Sequence, residues 1–228
     1  SRVFGSGNRR PARVKATITV APGGAFFEGH FPGRPILPGV VELLLVLEEL
    51  SRESGRPVAL RGIAFARLRQ LVLPGHRLDL VTRELGHGHV RIDLTREGAA
   101  VANGELVLGL PEEPARVLSP IARATGSFPS TPPLDALLPQ RPPMRGVTAI
   151  AGETVDGLDC VACVPAACGL VSAGSAHALA GVEAAAQTAA TWEAVRRWRE
   201  GNVAAPRVGY LVALRDVVFF ADRIPADR

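Results

Sequence analysis

Lysine is nearly absent from this chain of 228 residues: of its 26 basic residues only Lys15 is not an arginine. Aromatic residues make up 5%, and Met144 is the single methionine. The net charge of +4 is therefore spread over scattered arginines. There is no dense basic stripe with interleaved aromatics, which argues against a nucleic-acid partner. Three cysteines are too few for a disulfide scaffold and suit a reducing compartment, so a cytoplasmic location is expected. No apolar run approaches the roughly 18 residues of a membrane span. The longest, residues 40–47, is interrupted by Glu42. No basic segment leading into an apolar one marks a secretory signal. The chain opens on Ser1, from which a processed or trimmed start is expected.

What is present is globular in character. Hydrophobic residues make up 47% and charged ones 21%, and the length suits two compact units. A first unit is expected over residues 1–110, a linker over 111–133, where prolines are dense, and a second unit over 134–228. In the first unit Val14, Ala16, Ile18 and Val20 alternate with polar residues as in a strand. A Gly/Pro-rich loop follows, and Pro38-Gly39 opens a helix to about Glu53 that is apolar on nearly every face. Four strands are expected near 60–73, 77–84, 89–95 and 100–108, separated by glycine turns. One buried helix wrapped by a curved antiparallel sheet satisfies that order, an α+β class. The second half repeats it: strands over 147–150 and 153–164, an alanine-rich helix over 179–200, and a strand over 208–220. Gly62 to Pro74 overlays Gly209 to Pro225. Little sequence follows Pro225, so the second unit is expected to lack its last strands, with the natural chain continuing past Arg228.

The stretch Gly29-His30-Phe31-Pro32-Gly33-Arg34-Pro35-Ile36-Leu37-Pro38-Gly39-Val40 resembles the signature of the hotdog-fold 3-hydroxyacyl-acyl-carrier-protein dehydratases. The resemblance implies His30 as the base and Gly39 N–H as a donor to the thioester carbonyl, with Phe31, Pro38 and Arg34 beside the substrate or its carrier. The chemistry is consistent. Removing a proton next to a thioester needs a base titrating near ambient pH, and the developing oxyanion needs a fixed N–H such as a helix N-terminus supplies.

The family also places a carboxylic acid on the central helix, fourteen residues after the His. Here that position is Leu44, and Glu42 is rotated from it by about 200°. In the second half, Gly181-Val182-Glu183-Ala184-Ala185-Ala186-Gln187 resembles the Glu-x-x-x-Gln segment of the same families. Leu138-Pro139-Gln140-Arg141-Pro142-Pro143-Met144 resembles their Pro-His-Arg-Pro-Pro-Met start, with Gln140 in the place of His, and Gly169 stands where a second His belongs.

The resemblance therefore implies two hotdog units forming an intramolecular pseudo-dimer. His30 and Glu183 would make one working site, Gln187 would orient the acid or a water, and Leu44 and Gly169 would mark a dead site. The first unit is most similar to the larger, and the second to the smaller, partner of the two-subunit dehydratases of aryl-polyene-type pathways. An acyl carrier protein is the implied partner, with its phosphopantetheine arm carrying the substrate and Arg34 and Arg141 facing its phosphate or acidic surface. A higher oligomer or a complex with other synthase subunits is compatible. No metal or redox cofactor is implied. Two competing readings are a hotdog thioesterase or hydratase and a non-catalytic acyl-binding subunit. Cys160 and Cys163 read as core packing, His87 and His89 as exposed turn residues, and Trp192 and Trp198 as packing residues. His177 is a secondary candidate for the base.

Overall fold

The computed structural model describes residues 13–109, 131–154, 157–202 and 206–226. Apart from residues 131–133, the expected linker lies outside the described residues. The chain divides into two compact units that do not follow the two halves of the sequence. One holds the described residues of Ser1–Pro22, Val41–Ala115 and Leu211–Asp222; the other holds those of Gly23–Val40, Arg116–Tyr210 and Arg223–Arg228.

The first of these is built on a six-stranded antiparallel sheet. Its strands are β1 (Lys15–Thr19), β2 (Ala59–Leu68), β3 (Arg77–Gly86), β4 (His89–Arg96), β5 (Ala99–Gly109) and β10 (Ala213–Val218), in the order β1-β3-β4-β5-β2-β10. The β3–β4 and β4–β5 connections are tight turns with positive φ at His87, Gly88, Glu97 and Gly98. Alternation places Leu78, Leu80, Ile92, Leu94 and Leu106 on the buried face. Helix α1 (Gly39–Ser54) supplies Val41, Leu43, Val46 and Leu47 to the core, each at most 3% exposed, so the all-round apolar pattern is that of an enclosed helix. The two segments whose sequences overlay lie side by side: β10 runs antiparallel to β2, with Ala213 opposite Arg67 and Val218 opposite Gly62. The regular strand is shorter than the 208–220 expected.

The other unit contains a short helix α2 (Leu134–Leu137), the hairpin β6 (Val147–Thr154) and β7 (Gly157–Ala162), and helix α3 (Leu179–Arg199). A three-stranded sheet joins β8 (Val171–Ser172), β9 (Ser175–His177) and β11 (Arg223–Pro225). Alanine favours helix in α3, and Arg196, Arg197 and Arg199 complement the dipole at its C-terminal turn. Its N-terminus has no side-chain cap at Ala178; His177 Nδ1 instead accepts from the Leu179 N–H at 3.2 Å. Ala194 and Val195 pack with Leu137, Leu134 and Ile150. Among the described residues no helix is long and apolar enough to cross a membrane.

Candidate active site

His30 sits in a chain of tight turns between residues 24 and 36. Its N–H donates to Phe27 O at 3.2 Å, and the Arg34 N–H to Phe31 O at 2.9 Å. Phe31 holds φ at +63°, a conformation that costs a bulky residue about 1–2 kcal/mol. It persists because Phe31 is buried at 4% exposure, with its ring centroid 4.2 Å from the imidazole and the Tyr210 ring edge-on at 6.1 Å.

The imidazole itself is buried, and its Nδ1 lies 2.7 Å from Ile36 O. A carbonyl only accepts, so Nδ1 carries the hydrogen and Nε2 presents the lone pair. Burial lowers the His30 pKa below the ordinary imidazole value; the Glu183 charge and the Ile36 carbonyl oppose that shift without cancelling it. His30 is thus a neutral base of fixed tautomer, held within the field of Glu183.

On α3 the buried positions include Glu183, Gln187 and Thr191, a polar stripe at i, i+4 and i+8 along one face. Gln187 is 1% exposed, and its amide is fully engaged. Its Oε1 accepts from the Gly146 N–H at 2.9 Å and the Val147 N–H at 3.3 Å. Its Nε2 donates to Met144 O at 2.8 Å and to Glu183 Oε1 at 3.0 Å. With all four bonds satisfied the amide cannot turn, so one oxygen of Glu183 is held in place. Thr191 Oγ1 donates to Gln187 O at 2.8 Å and closes the stripe. A small cleft of about 10 Å³, room for about one water, is lined by Glu183, Gln187, Met144, Gly146, Cys168 and Leu170. A larger cavity of about 250 Å³ is lined by Val14, Leu50, Val58, Thr82, Val90 and Leu108, and no candidate site residue borders it.

The structure thus brings His30 and Glu183 into one compact unit although they come from opposite halves of the sequence. Pro38 is buried and Gly39 opens α1 with its N–H at the helix start. Arg34 is exposed, whereas the Arg141 guanidinium is spent on backbone: Nη1 donates to Leu138 O at 2.7 Å and Gln140 O at 2.8 Å, and Nη2 to Asp135 O at 3.2 Å. Arg145 pairs with Asp135. Leu44 is buried, in a core that offers it no polar role. A side chain at Gly169 would begin 2.6 Å from the Phe26 ring, so that ring fills the space a second His would need.

His177 is buried and its Nδ1 serves the α3 N-terminus, so this nitrogen is not a spare base. Cys160 in β7 and Cys163 just after it are half-buried rather than in the core. His87 is exposed in its turn, and His89 bonds Glu105 at 2.7 Å. Trp192 is half-buried, with the Arg196 guanidinium 5.9 Å from its ring. Sequence reasoning did not single out Phe26 or the backbone of residues 140–146. The Gly29-His30 step was the one local signal of a close backbone approach.

Comparison with known proteins gives two family matches, one in each half. The family described as ApeI dehydratase matches residues 7–105, and that described as ApeP dehydratase matches residues 132–228. The 3-hydroxyacyl-[acyl-carrier-protein] dehydratase FabZ of Novosphingobium aromaticivorans is 34% identical over 106 residues, 42% of this chain and 62% of that protein. FabZ of Acetivibrio thermocellus is 37% identical over 95 residues, 36% and 63% of the two chains. FabZ of Klebsiella pneumoniae is 35% identical over 104 residues, 41% and 67%. The chain thus spans somewhat less than two thirds of the first two relatives.

Among solved structures, the dehydratase domain of PpsC from Mycobacterium tuberculosis has a TM-score of 0.57 at 17% identity, covering 90% of this chain and 76% of that one. A bifunctional dehydratase-cyclase domain of ambruticin biosynthesis has a TM-score of 0.55 at 21% identity, covering 99% and 80%. At these identities the likeness speaks for the fold: an α+β chain with two hotdog units.

Proposed function

The chain belongs to the hotdog dehydratases of the ApeI-like and ApeP-like type, and from that premise we propose that it eliminates water from 3-hydroxyacyl thioesters at His30 and Glu183. His30 Nε2 takes a proton from C2. The thioester oxygen, gaining negative charge, is received by the Gly39 N–H at the start of α1. Glu183 gives its proton to the C3 hydroxyl, the C3–O bond breaks, and water leaves with a trans-2-enoyl thioester as product. The reaction is redox-neutral, and two proton transfers complete it without a cofactor.

The observation that carries this reading is the pairing of a neutral, tautomer-fixed imidazole with a carboxyl in the same unit. The proposed elimination requires the acid form of Glu183 together with the neutral His30. The substrate class proposed is an acyl chain on the phosphopantetheine of an acyl carrier protein, with exposed Arg34 as the carrier-facing cation.

The test is to incubate the protein with 3-hydroxyacyl carrier proteins and weigh the products. Loss of one water from the intact thioester is expected. Release of the free acid would replace this reading with a thioesterase, and an unchanged mass would replace it with an acyl-binding subunit.

A further inference from the structure

We propose that the loop of residues 140–146 is the spacer that sets the distance between His30 and Glu183, with Arg141 and Gly29 as its positioning residues. This rests on the reading of His30 and Glu183 as the acid–base pair and says what holds them apart. At one end, the loop meets the His30 turn backbone to backbone. The Arg141 N–H donates to Gly29 O at 2.8 Å, and a Cβ on Gly29 would lie 2.1 Å from Arg141 O and 2.8 Å from Pro142 O. Gly29 also holds φ at +77°. Only glycine tolerates both the approach and the dihedral.

At its other end the same loop holds the amide that holds the acid: Met144 O and the Gly146 N–H bond Gln187, which bonds Glu183. Between the two ends the loop is stiffened from inside. The Met144 and Arg145 N–H groups donate to Arg141 O at 3.1 and 3.0 Å, and the Arg141 guanidinium ties Leu138, Gln140 and Asp135. An unbroken run of bonds therefore leads from the residue before His30 to the Glu183 carboxyl, and every step lies within one unit. From Gly29 to Gln187 nothing in that run contacts substrate in the proposed reaction, so its effect is on geometry.

The experiment is to replace Arg141→Met and, separately, Gly29→Ala. His30 is titrated by NMR through its imidazole protons, alongside kcat and KM, in each variant that keeps the wild-type circular dichroism. Loosening the spacer weakens the field of Glu183 at His30, so the His30 pKa should fall. kcat should fall at least tenfold with KM changed less than threefold, and Arg141→Lys, which keeps a donor, should recover part of both. Because the NMR titration needs no turnover, a shifted His30 in a protein whose wild type dehydrates nothing would uphold the spacer and overturn the proposed reaction. A His30 titration unchanged in both variants would overturn the spacer, whatever happened to kcat. If Arg141→Met does not fold, the Gly29→Ala and Arg141→Lys arms decide by the same criterion.

Discussion

Helices α1 and α3 each bury a glutamate, and the two are treated in opposite ways. Glu42 on α1 is 3% exposed, and its Oε2 has no hydrogen-bond partner. Burial alone pushes its pKa up to about 8, so it is held mostly as the neutral acid near pH 7. Glu183 on α3 is 8% exposed, but Gln187 holds Oε1 and the imidazole of His30 lies within its field. The lesson is that burial alone, with nothing bonded to the carboxyl, favours its neutral form, while a donor on one oxygen and an imidazole nearby fix where the carboxyl sits and what it acts on electrostatically. In α1 the glutamate interrupts an apolar helix. In α3 it belongs to a polar stripe in which every neighbour is bonded.

That contrast can be broken or sharpened by experiment. The largest effect is expected from His30→Ala and Glu183→Ala, each lowering kcat by about 10²–10⁴-fold, the usual worth of a general acid or base. Thermal melts close to wild type would show that chemistry rather than folding was lost. If the two effects multiply instead of overlapping in the double variant, the pair does not act as a unit.

In the unaltered protein the burial-lowered pKa of His30 keeps the base neutral below the ordinary imidazole range, so on the acid side activity should fall only beneath that range. A profile still rising through pH 7 as an ordinary imidazole deprotonates would contradict this.

Next comes stability at Glu42. Its folded pKa is raised, so folding is favoured while it is protonated. That contribution is complete below the unfolded value near 4.5 and is lost as pH rises through about 8. The loss is on the order of a few kcal/mol. Glu42→Gln should flatten the dependence in urea melts at pH 5, 7 and 9 while leaving turnover near wild type. A wild-type curve already flat over that range would show that Glu42 is ionised in the native state.

Gln187→Leu strands the Gly146 and Val147 N–H groups and frees Glu183. It should cost about 1–3 kcal/mol of stability and lower kcat by roughly tenfold. The smallest effect is expected at Gly169→Ala, about 1–2 kcal/mol from pressing on the Phe26 ring, with Phe26→Ala in the same chain recovering part of it.

Much of this was legible locally. The alternation in β1 to β5, the glycine turns between them and the all-round apolar run of α1 are patterns of neighbouring residues, and the observed elements follow them closely. The Glu183–Gln187 spacing also reads directly as one helix face. The half-burial of Cys160 was not legible, because strand alternation says which residues share a face but not whether anything covers it. The engagement of Arg141 was hidden for a similar reason: a guanidinium beside a motif looks the same in sequence whether it awaits an anion or closes on carbonyls of its own loop.

By itself, then, the sequence determined the repeated order of strand, helix and strand, and the residue types at His30, Glu183, Leu44 and Gly169, the positions from which the acid–base reading is drawn. Steric preference, side-chain period and chemical identity are all local properties. Only the tertiary structure decided that residues 23–40 leave the half in which they are encoded and pack in the unit of α3. It also decided that one short loop touches both the turn of His30 and the amide behind Glu183. Those contacts join residues far apart in the chain, and they depend on the shape that buries the most apolar surface while leaving few polar groups unpaired, a property of the whole fold.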